Sequence, residues 1–279
     1  MEGARALFIA PPGSARTFRR AAERCGLEPL DAAPTSAFSH RGGQDLPALL
    51  CIGPGVPDNR WESICRRTKL NRRHNPVPVL VCRQDGPPGP PLDHIRVEPD
   101  RYLRPTTDSG RAVRIIEGFL EDFRDRSADR TAFRLDAVVG SDLGLLGEVA
   151  SLVDPVVGMT GLPGSERRHV RYATLEMALN AMEWGNRWER KRAVRFHFEL
   201  DADRFVLCIS DEGPGFDADA VMERESRPIN PEVQMDKRRE AGRRFGGYGV
   251  RVCREFVDEL HYNKPGNEVT LIKYLETQP

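Results

Sequence analysis

Apolar runs of strand length alternate with amphipathic segments in the first half of the chain. Three runs are short enough to be buried strands: Ala4 to Ala10, Leu46 to Ile52 and Val77 to Cys82. Three other segments have the apolar spacing of helices: Ala15 to Cys25, Asp58 to Leu70 and Ser109 to Phe123. Strands that alternate with helices predict a parallel sheet covered on both faces. We therefore predict an α/β domain over residues 1–126.

The second half has a different pattern, and we predict a second domain over residues 130–279. The boundary is placed in a charged stretch without an apolar anchor, residues 125–129. The expected elements are, in order, a strand from Ala132 to Val138, a helix capped by Ser141-Asp142, a helix from about Gly164, a hairpin of Val194 to Leu200 with Phe205 to Ile209, a helix from Tyr248 to Leu260, and a strand from Glu268 to Leu275. Between the hairpin and the last helix, Asp217 to Arg244 has few apolar residues, which is typical of a mobile lid or a disordered segment.

Charge and composition narrow the possible functions. The 42 basic residues balance the 42 acidic ones, which argues against a general nucleic-acid binder. A local basic run, Arg66 to Arg73, is either a solvated helix face or a dock for an acidic partner. The apolar runs are all far shorter than the ~20 residues of a membrane span, so no membrane partner is expected.

The six cysteines are scattered, without C-x-x-C pairs or zinc-like spacing to histidine. This use of cysteine fits a reducing compartment. We therefore expect a cytoplasmic protein.

Three polar and glycine-rich motifs follow one another in the second half. Glu176 and Asn180 are four residues apart on a predicted helix and therefore share a face. A strand then ends in Asp-x-Gly-x-Gly, which begins at Asp211, and Gly246-Gly247-Tyr248-Gly249 immediately precedes a helix. Each motif alone is common, but this order within one domain length is specific. No G-x-x-x-x-G-K-[ST] is present, so the chain is not a P-loop protein.

This order resembles the GHKL, or Bergerat-fold, ATP-binding superfamily, and most closely its anti-sigma-factor serine/threonine kinases. The stretch from Ala173 to Gly185 looks like the N box, Asp211 to Phe216 looks like the first glycine box, and Gly247 to Val250 looks like the second. Trp184 stands where many members have histidine. The resemblance implies a Bergerat-fold α/β sandwich, with a mixed sheet and helices on one face. It also implies ATP and Mg²⁺ as cofactors.

The resemblance assigns each motif a role that suits its chemistry. Asp211 would accept a hydrogen bond from the exocyclic amine of adenine, Asn180 would supply a hard oxygen to Mg²⁺, and Glu176 would be the catalytic base. The glycine boxes would let backbone approach the nucleotide and its phosphates. The predicted cofactor-binding residues are Asn180, Asp211, Gly213, Gly215, Phe216, Arg244, Gly247, Gly249 and Val250.

The first half resembles a response-regulator receiver domain in its strand pattern and in Tyr102-Leu103-Arg104-Pro105. It departs from a working receiver where the acidic residues should be. A working receiver has an acidic pair after its first strand, where this chain has Ala10-Pro11-Pro12. It has an aspartate at the end of its third strand, where this chain has Leu50-Cys51-Ile52, and a lysine where this chain has Arg104. Without clustered carboxylates a Mg²⁺ cage is not expected. We predict a degenerate receiver-like module that binds or positions a partner and is not phosphorylated on aspartate.

Two functions remain open. In the first, the protein is a kinase that phosphorylates a STAS-domain anti-anti-sigma protein, binds a sigma factor and switches between the two. In the second, it is a non-catalytic ATP-binding sensor or scaffold. Glu176 distinguishes them, because a pure sensor needs no base beside its Mg²⁺ ligand. The resemblance also suggests a homodimer. A histidine kinase is disfavoured, because His169 lies within the ATP domain's own helix and no separate phosphoacceptor hairpin precedes it.

Overall fold

The computed structural model of the chain describes residues 4–11, 13–32, 46–89, 92–128, 133–217 and 249–275. Contacts divide the chain into two compact units. The first comprises residues 1–89 and 96–137, and the second comprises residues 90–95 and 138–279. Within the described residues, no helix combines the length and apolarity needed to cross a membrane.

The first unit is built on a parallel sheet. Its strands are β1 (Arg5–Ile9), β2 (Glu28–Asp31), β3 (Leu49–Ile52), β4 (Val79–Cys82) and β6 (Arg101–Leu103), in the order β2-β1-β3-β4-β6. All four neighbouring pairs are parallel. The short β5 (Arg96–Val97) instead pairs with β7 (Phe133–Gly140). This order corresponds to that of doubly wound flavodoxin-like folds, and the predicted parallel α/β architecture is confirmed.

Helices cover both faces of this sheet, as expected for a parallel sheet. They are α1 (Arg16–Arg24), α2 (Asp58–Lys69) and α3 (Ser109–Ala128). Alternate strand residues enter two separate cores. Phe8, Cys51 and Leu80 pack on the side of α1 and α3, whereas Leu7, Leu50 and Val79 pack on the other side with Trp61 of α2. The receiver-like identity of the unit remains a prediction.

The basic run from Arg66 to Arg73, which begins in the last turn of α2, is only partly a surface feature. Lys69 is 3% exposed. Its ammonium group lies 2.5 Å from the Asp100 carboxylate and donates to the carbonyl of Val77 at 3.1 Å. A buried charge needs such partners, so Lys69 holds the segment after α2 against the sheet. Arg67, Arg72 and Arg73 are exposed.

The sheet of the second unit is formed by β7, β8 (Ala193–Leu200), β9 (Arg204–Ser210), β10 (Glu259–Tyr262) and β11 (Glu268–Tyr274), in the order β10-β11-β9-β8-β7. The predicted hairpin is confirmed, because β8 and β9 pair antiparallel through the turn at residues 201–203. β9 also pairs antiparallel with β11, which pairs antiparallel with β10.

One face of this sheet carries the apolar core. Phe196 and Phe198 of β8 and Phe205 of β9 are at most 1% exposed, whereas residues between them on the strands are more accessible. The helices are α4 (Leu146–Gly158), α5 (Gly164–Asn180) and α6 (Gly249–Phe256), and a short 3-10 helix (Leu143–Leu145) precedes α4. Asp142 caps that 3-10 helix by accepting a hydrogen bond from the Gly144 amide at 2.9 Å. α5 packs against both α4 and α6.

One predicted element is wrong. The sequence pattern predicts a single helix from Tyr248 to Leu260, but α6 ends at Phe256 and Glu259–Tyr262 form strand β10. The apolar spacing of Cys253, Val257 and Leu260 is compatible with a helix. The pairing of β10 with β11, which residue spacing does not encode, decides in favour of the strand.

Candidate nucleotide site

Glu176 and Asn180 lie one turn apart near the end of α5, and both are half-buried. The start of α6 approaches them closely. A methyl group added at Gly249 would stand 2.8 Å from Glu176 Oε2 and 3.9 Å from Asn180 Nδ2. Any residue with a Cβ at position 249 would therefore displace the Glu176 carboxylate. The structure therefore brings together three predicted site residues from two motifs, and Val250 follows Gly249 in the first turn of α6.

Cys253 of α6 lies near Glu176. This thiol is buried and directed at the Ala173 carbonyl of α5, with a distance of 3.8 Å between Sγ and the oxygen. Burial, and then the negative charge of Glu176, raises the pKa of Cys253 to about 12. The thiol is therefore protonated at neutral pH and acts as a packing group rather than a nucleophile.

Asp211 follows β9, and its position is fixed through the backbone. Its amide donates to the Asn267 carbonyl at 2.9 Å, and its carboxylate accepts from the Gly213 amide at 2.8 Å. The carboxylate also touches the backbone of Gly185, where an added methyl group would stand 2.2 Å from Asp211 Cγ. Burial raises the pKa of Asp211, partly opposed by the Gly213 hydrogen bond and the charge of Arg192. A half-buried carboxylate of this kind is a strong acceptor for an amine donor.

The glycines after Asp211 permit two close backbone contacts. A methyl group at Gly213 would stand 2.2 Å from the Gly185 carbonyl oxygen. Gly215 has a positive φ of 74°, and a methyl group there would overlap the Pro265 carbonyl oxygen at 1.8 Å. The first glycine box is thus held between the turn after α5 and the turn between β10 and β11.

Phe216 ends this box beside an aromatic residue that the sequence patterns do not single out. Its ring is 5.0 Å from that of Tyr262, in an edge-on arrangement. The Tyr262 hydroxyl contacts Met177 Sδ of α5 at 3.6 Å. Burial raises the pKa of Tyr262, with further contributions from Cys253 and Asp211. Tyr262 therefore lies near Asp211 and adds an apolar wall to the site, a position that depends on the unpredicted strand β10.

The turn after α5 also contains features that the motif search did not assign. Residues Ala181–Gly185 form a π-helical turn, and Asn186 after it is fully buried. Trp184, the departure from the family pattern, is 52% exposed and therefore changes the surface rather than the core. In the sequence, Gly185-Asn186 indicates only the end of the preceding helix and does not mark Asn186 as a site residue.

Two predicted cofactor-binding residues, Arg244 and Gly247, lie outside the described residues, as does most of the predicted lid. The described residues contain no cluster of three or more histidine, cysteine or acidic side chains suited to a metal ion. A Mg²⁺ ion that binds through phosphate oxygens needs only one or two protein oxygens. The Asn180 amide oxygen, half-buried next to Glu176, fits that requirement.

Asp211 lies near the turn that follows α5, and Glu176 and Asn180 lie on α5 itself, nine and five residues before Gly185. The glycine at the start of α6 lies against these two side chains. Backbone amides at a helix start favour phosphate oxygens.

Comparison with known proteins identifies relatives of the second half of the chain. Residues 139–273 match the histidine kinase-like ATPase domain family (HATPase_c_2). The chain is also 25% identical over 131 residues to the serine-protein kinase RsbW of Bacillus subtilis (strain 168). That alignment covers 47% of this chain and 78% of RsbW. Residues 139–273 are therefore a histidine kinase-like ATPase domain, and this part of the chain is similar to a serine-protein kinase.

Proposed function

We propose that the chain is a cytoplasmic, ATP-dependent serine/threonine kinase of the anti-sigma-factor type. It phosphorylates a STAS-domain anti-anti-sigma protein and controls a sigma factor by switching between the two partners. The observation that carries this proposal is the placement of Glu176 beside Asn180 and against Gly249, with Asp211 held by the turn after the same helix. The similarity to a protein named as a serine-protein kinase supports the reaction type. Six free cysteines support the reducing compartment.

Each residue has a defined part in phosphoryl transfer. Asp211 accepts the hydrogen bond of the adenine amine, and the glycine box lets the backbone pass close to the base. Asn180 holds Mg²⁺, which neutralises charge on the phosphates when it is bound. Glu176 accepts the proton of the serine hydroxyl while that oxygen bonds to the γ-phosphorus and the bond to the β–γ bridging oxygen breaks. The products are phosphoserine and ADP.

The alternative, a non-catalytic ATP sensor, makes no use of the carboxylate at Glu176. The close approach of α6 to this side chain favours the kinase, because the backbone at Gly249 leaves a carboxylate next to the proposed metal ligand. The first unit would act as an input or docking module in either case.

The experiment is incubation of the full chain with Mg-ATP and the STAS protein encoded nearest to it, followed by mass spectrometry for phosphoserine. Glu176→Ala should retain ATP binding by calorimetry and lose phosphoserine formation. Glu255→Ala is the matched control, because it removes an exposed carboxylate from the neighbouring helix α6. It should transfer phosphate at the wild-type rate.

The outcomes separate the two functions. Continued transfer by Glu176→Ala would reject the general-base role. ATP binding by the wild-type chain without any phosphoserine in the partner would instead favour the sensor.

A further inference from the structure

Asn186 is a fully buried side chain near the proposed site, and both of its polar atoms are hydrogen-bonded. It follows the π-helical turn after α5 and is 0% exposed. Its Nδ2 donates to Ser141 Oγ and to the Ala193 carbonyl, both at 2.9 Å. Its Oδ1 accepts from the Glu212 backbone amide at 2.8 Å. One side chain therefore connects the end of β7, the start of β8 and the loop after β9.

The Glu212 amide is the part of this network that bears on Asp211. It belongs to the peptide unit that directly follows Asp211, while the amide of Asp211 itself donates to the Asn267 carbonyl at 2.9 Å. Both peptide units that flank the Asp211 Cα are thus fixed, one by Asn186 and one by Asn267. With both fixed, the Asp211 side chain leaves the backbone in one direction, against Gly185.

We propose that Asn186 is the residue that positions Asp211 for recognition of adenine. This inference rests on the proposed nucleotide site and adds a determinant of base specificity outside the predicted motif positions. Without Asn186 the part-buried Glu212 amide would lose its acceptor, and the cost of leaving that donor unsatisfied inside the protein would drive rotation of the peptide. The rotation would turn the Asp211 carboxylate away from the adenine amine. Triphosphate binding by α5 and the start of α6 does not depend on this peptide.

If Asn186 only stabilised the fold, its loss would not change base specificity. Asn75 provides a matched control for this possibility. Asn75 in the first unit is also 0% exposed. Its Nδ2 donates to the carbonyls of Lys69 and Arg134, at 2.7 and 2.6 Å. Its Oδ1 accepts from the Arg134 amide at 2.9 Å. Asn75→Ala and Asn186→Ala therefore each remove a fully buried amide that donates two hydrogen bonds and accepts one, but only Asn186 adjoins Asp211.

The test is a comparison of ATP with inosine triphosphate, which has a carbonyl oxygen where adenine has its amine. Kd values for both nucleotides are measured by calorimetry on the full-length wild type, Asn186→Ala and Asn75→Ala, together with their melting temperatures. We expect the Kd for inosine triphosphate divided by the Kd for ATP to fall at least tenfold in Asn186→Ala. That corresponds to about 1.4 kcal/mol, the order of one hydrogen bond to a charged group. The same ratio should stay within twofold of wild type in Asn75→Ala, although Asn75→Ala and Asn186→Ala should both have lower melting temperatures than wild type.

A second variant covers the case in which Asn186→Ala does not fold. Ser141→Ala removes one acceptor of the Asn186 amide and leaves its bond to Glu212, so the ratio should fall in the same direction by about threefold. A wild-type ratio in the folded variants, or an equal loss of ATP and inosine triphosphate affinity, overturns the positioning role. A wild-type chain that does not bind ATP instead overturns the proposed function itself, so the two failures are distinguishable.

Discussion

Replacement of Gly185 by alanine should remove adenine recognition without a change to any side chain that contacts the nucleotide. The new methyl group would stand 2.2 Å from Asp211 Cγ and 2.4 Å from each of its carboxylate oxygens. Non-bonded carbon and oxygen atoms separate to about 3.4 Å, so the carboxylate must move by about 1 Å. Gly185 is not in the left-handed region, since it is absent from the glycines with positive φ. Alanine therefore fits the backbone, and the three atoms nearest to the new methyl group all belong to Asp211.

The magnitude follows from the geometry of one hydrogen bond. A shift of about 1 Å moves an acceptor at ~2.9 Å beyond the range of a hydrogen bond. A hydrogen bond to a charged group contributes about 1.5–3 kcal/mol. The Kd for ATP should therefore rise about 10- to 150-fold, whereas the Kd for inosine triphosphate should change much less.

Calorimetric titration with both nucleotides measures this effect. Gly147→Ala is the control, because Gly147 lies in α4 of the same unit and an added methyl group there meets nothing within 4 Å. It should leave both Kd values unchanged and raise the free energy of unfolding by up to about 1 kcal/mol. If Gly185→Ala binds ATP as tightly as Gly147→Ala does, Asp211 does not read the base.

Three further outcomes are expected. Gly249→Ala, whose methyl group would stand 2.8 Å from Glu176 Oε2, should displace that carboxylate and lower the phosphoserine yield at least tenfold in the STAS assay; an unchanged yield would contradict the general-base position. Because burial raises the pKa of Asp211 above the ordinary 3.8, protonation should remove the charge of the adenine acceptor and weaken its hydrogen bond as pH falls. ATP affinity, measured against inosine triphosphate from pH 7 downward, should decline at a higher pH than an ordinary aspartate would cause, and a decline only below pH 3.8 would refute this. Lys69→Met should leave the Asp100 carboxylate without its cation at 2.5 Å and lower the free energy of unfolding by about 3 kcal/mol in urea; a loss below 1 kcal/mol would show that the pair is not stabilising.

Elements with a strong local pattern could be predicted from the sequence. The hairpin of β8 and β9 has alternating buried residues on both strands and a polar turn between them, and the structure has both strands within one residue of the expected bounds. Strand β10 could not be predicted, because four residues that continue a helical spacing become a strand only by pairing with β11. Long-range pairing is absent from local spacing, so short edge strands of this kind are missed.

The same distinction applies to the site. The residues at fixed offsets, Glu176 with Asn180 and Asp211 with its glycines, can be predicted as site residues because helix and turn geometry relate them locally. The contact of Gly185 with Asp211 and the bond from Glu212 to Asn186 join segments about 26 residues apart. These contacts depend on how the turn after α5 packs against the loop after β9, which no spacing rule specifies.

The central claim is that one ATP molecule binds the second unit with its adenine amine hydrogen-bonded to Asp211. Calorimetric titration of Mg-ATP into the wild-type chain and into Asp211→Asn tests this most directly, because the substitution keeps the size of the side chain and replaces a carboxylate oxygen with a donor. We predict saturable binding with one site per chain for the wild type and no measurable binding for Asp211→Asn. Equal affinity of the two proteins for ATP would contradict the claim.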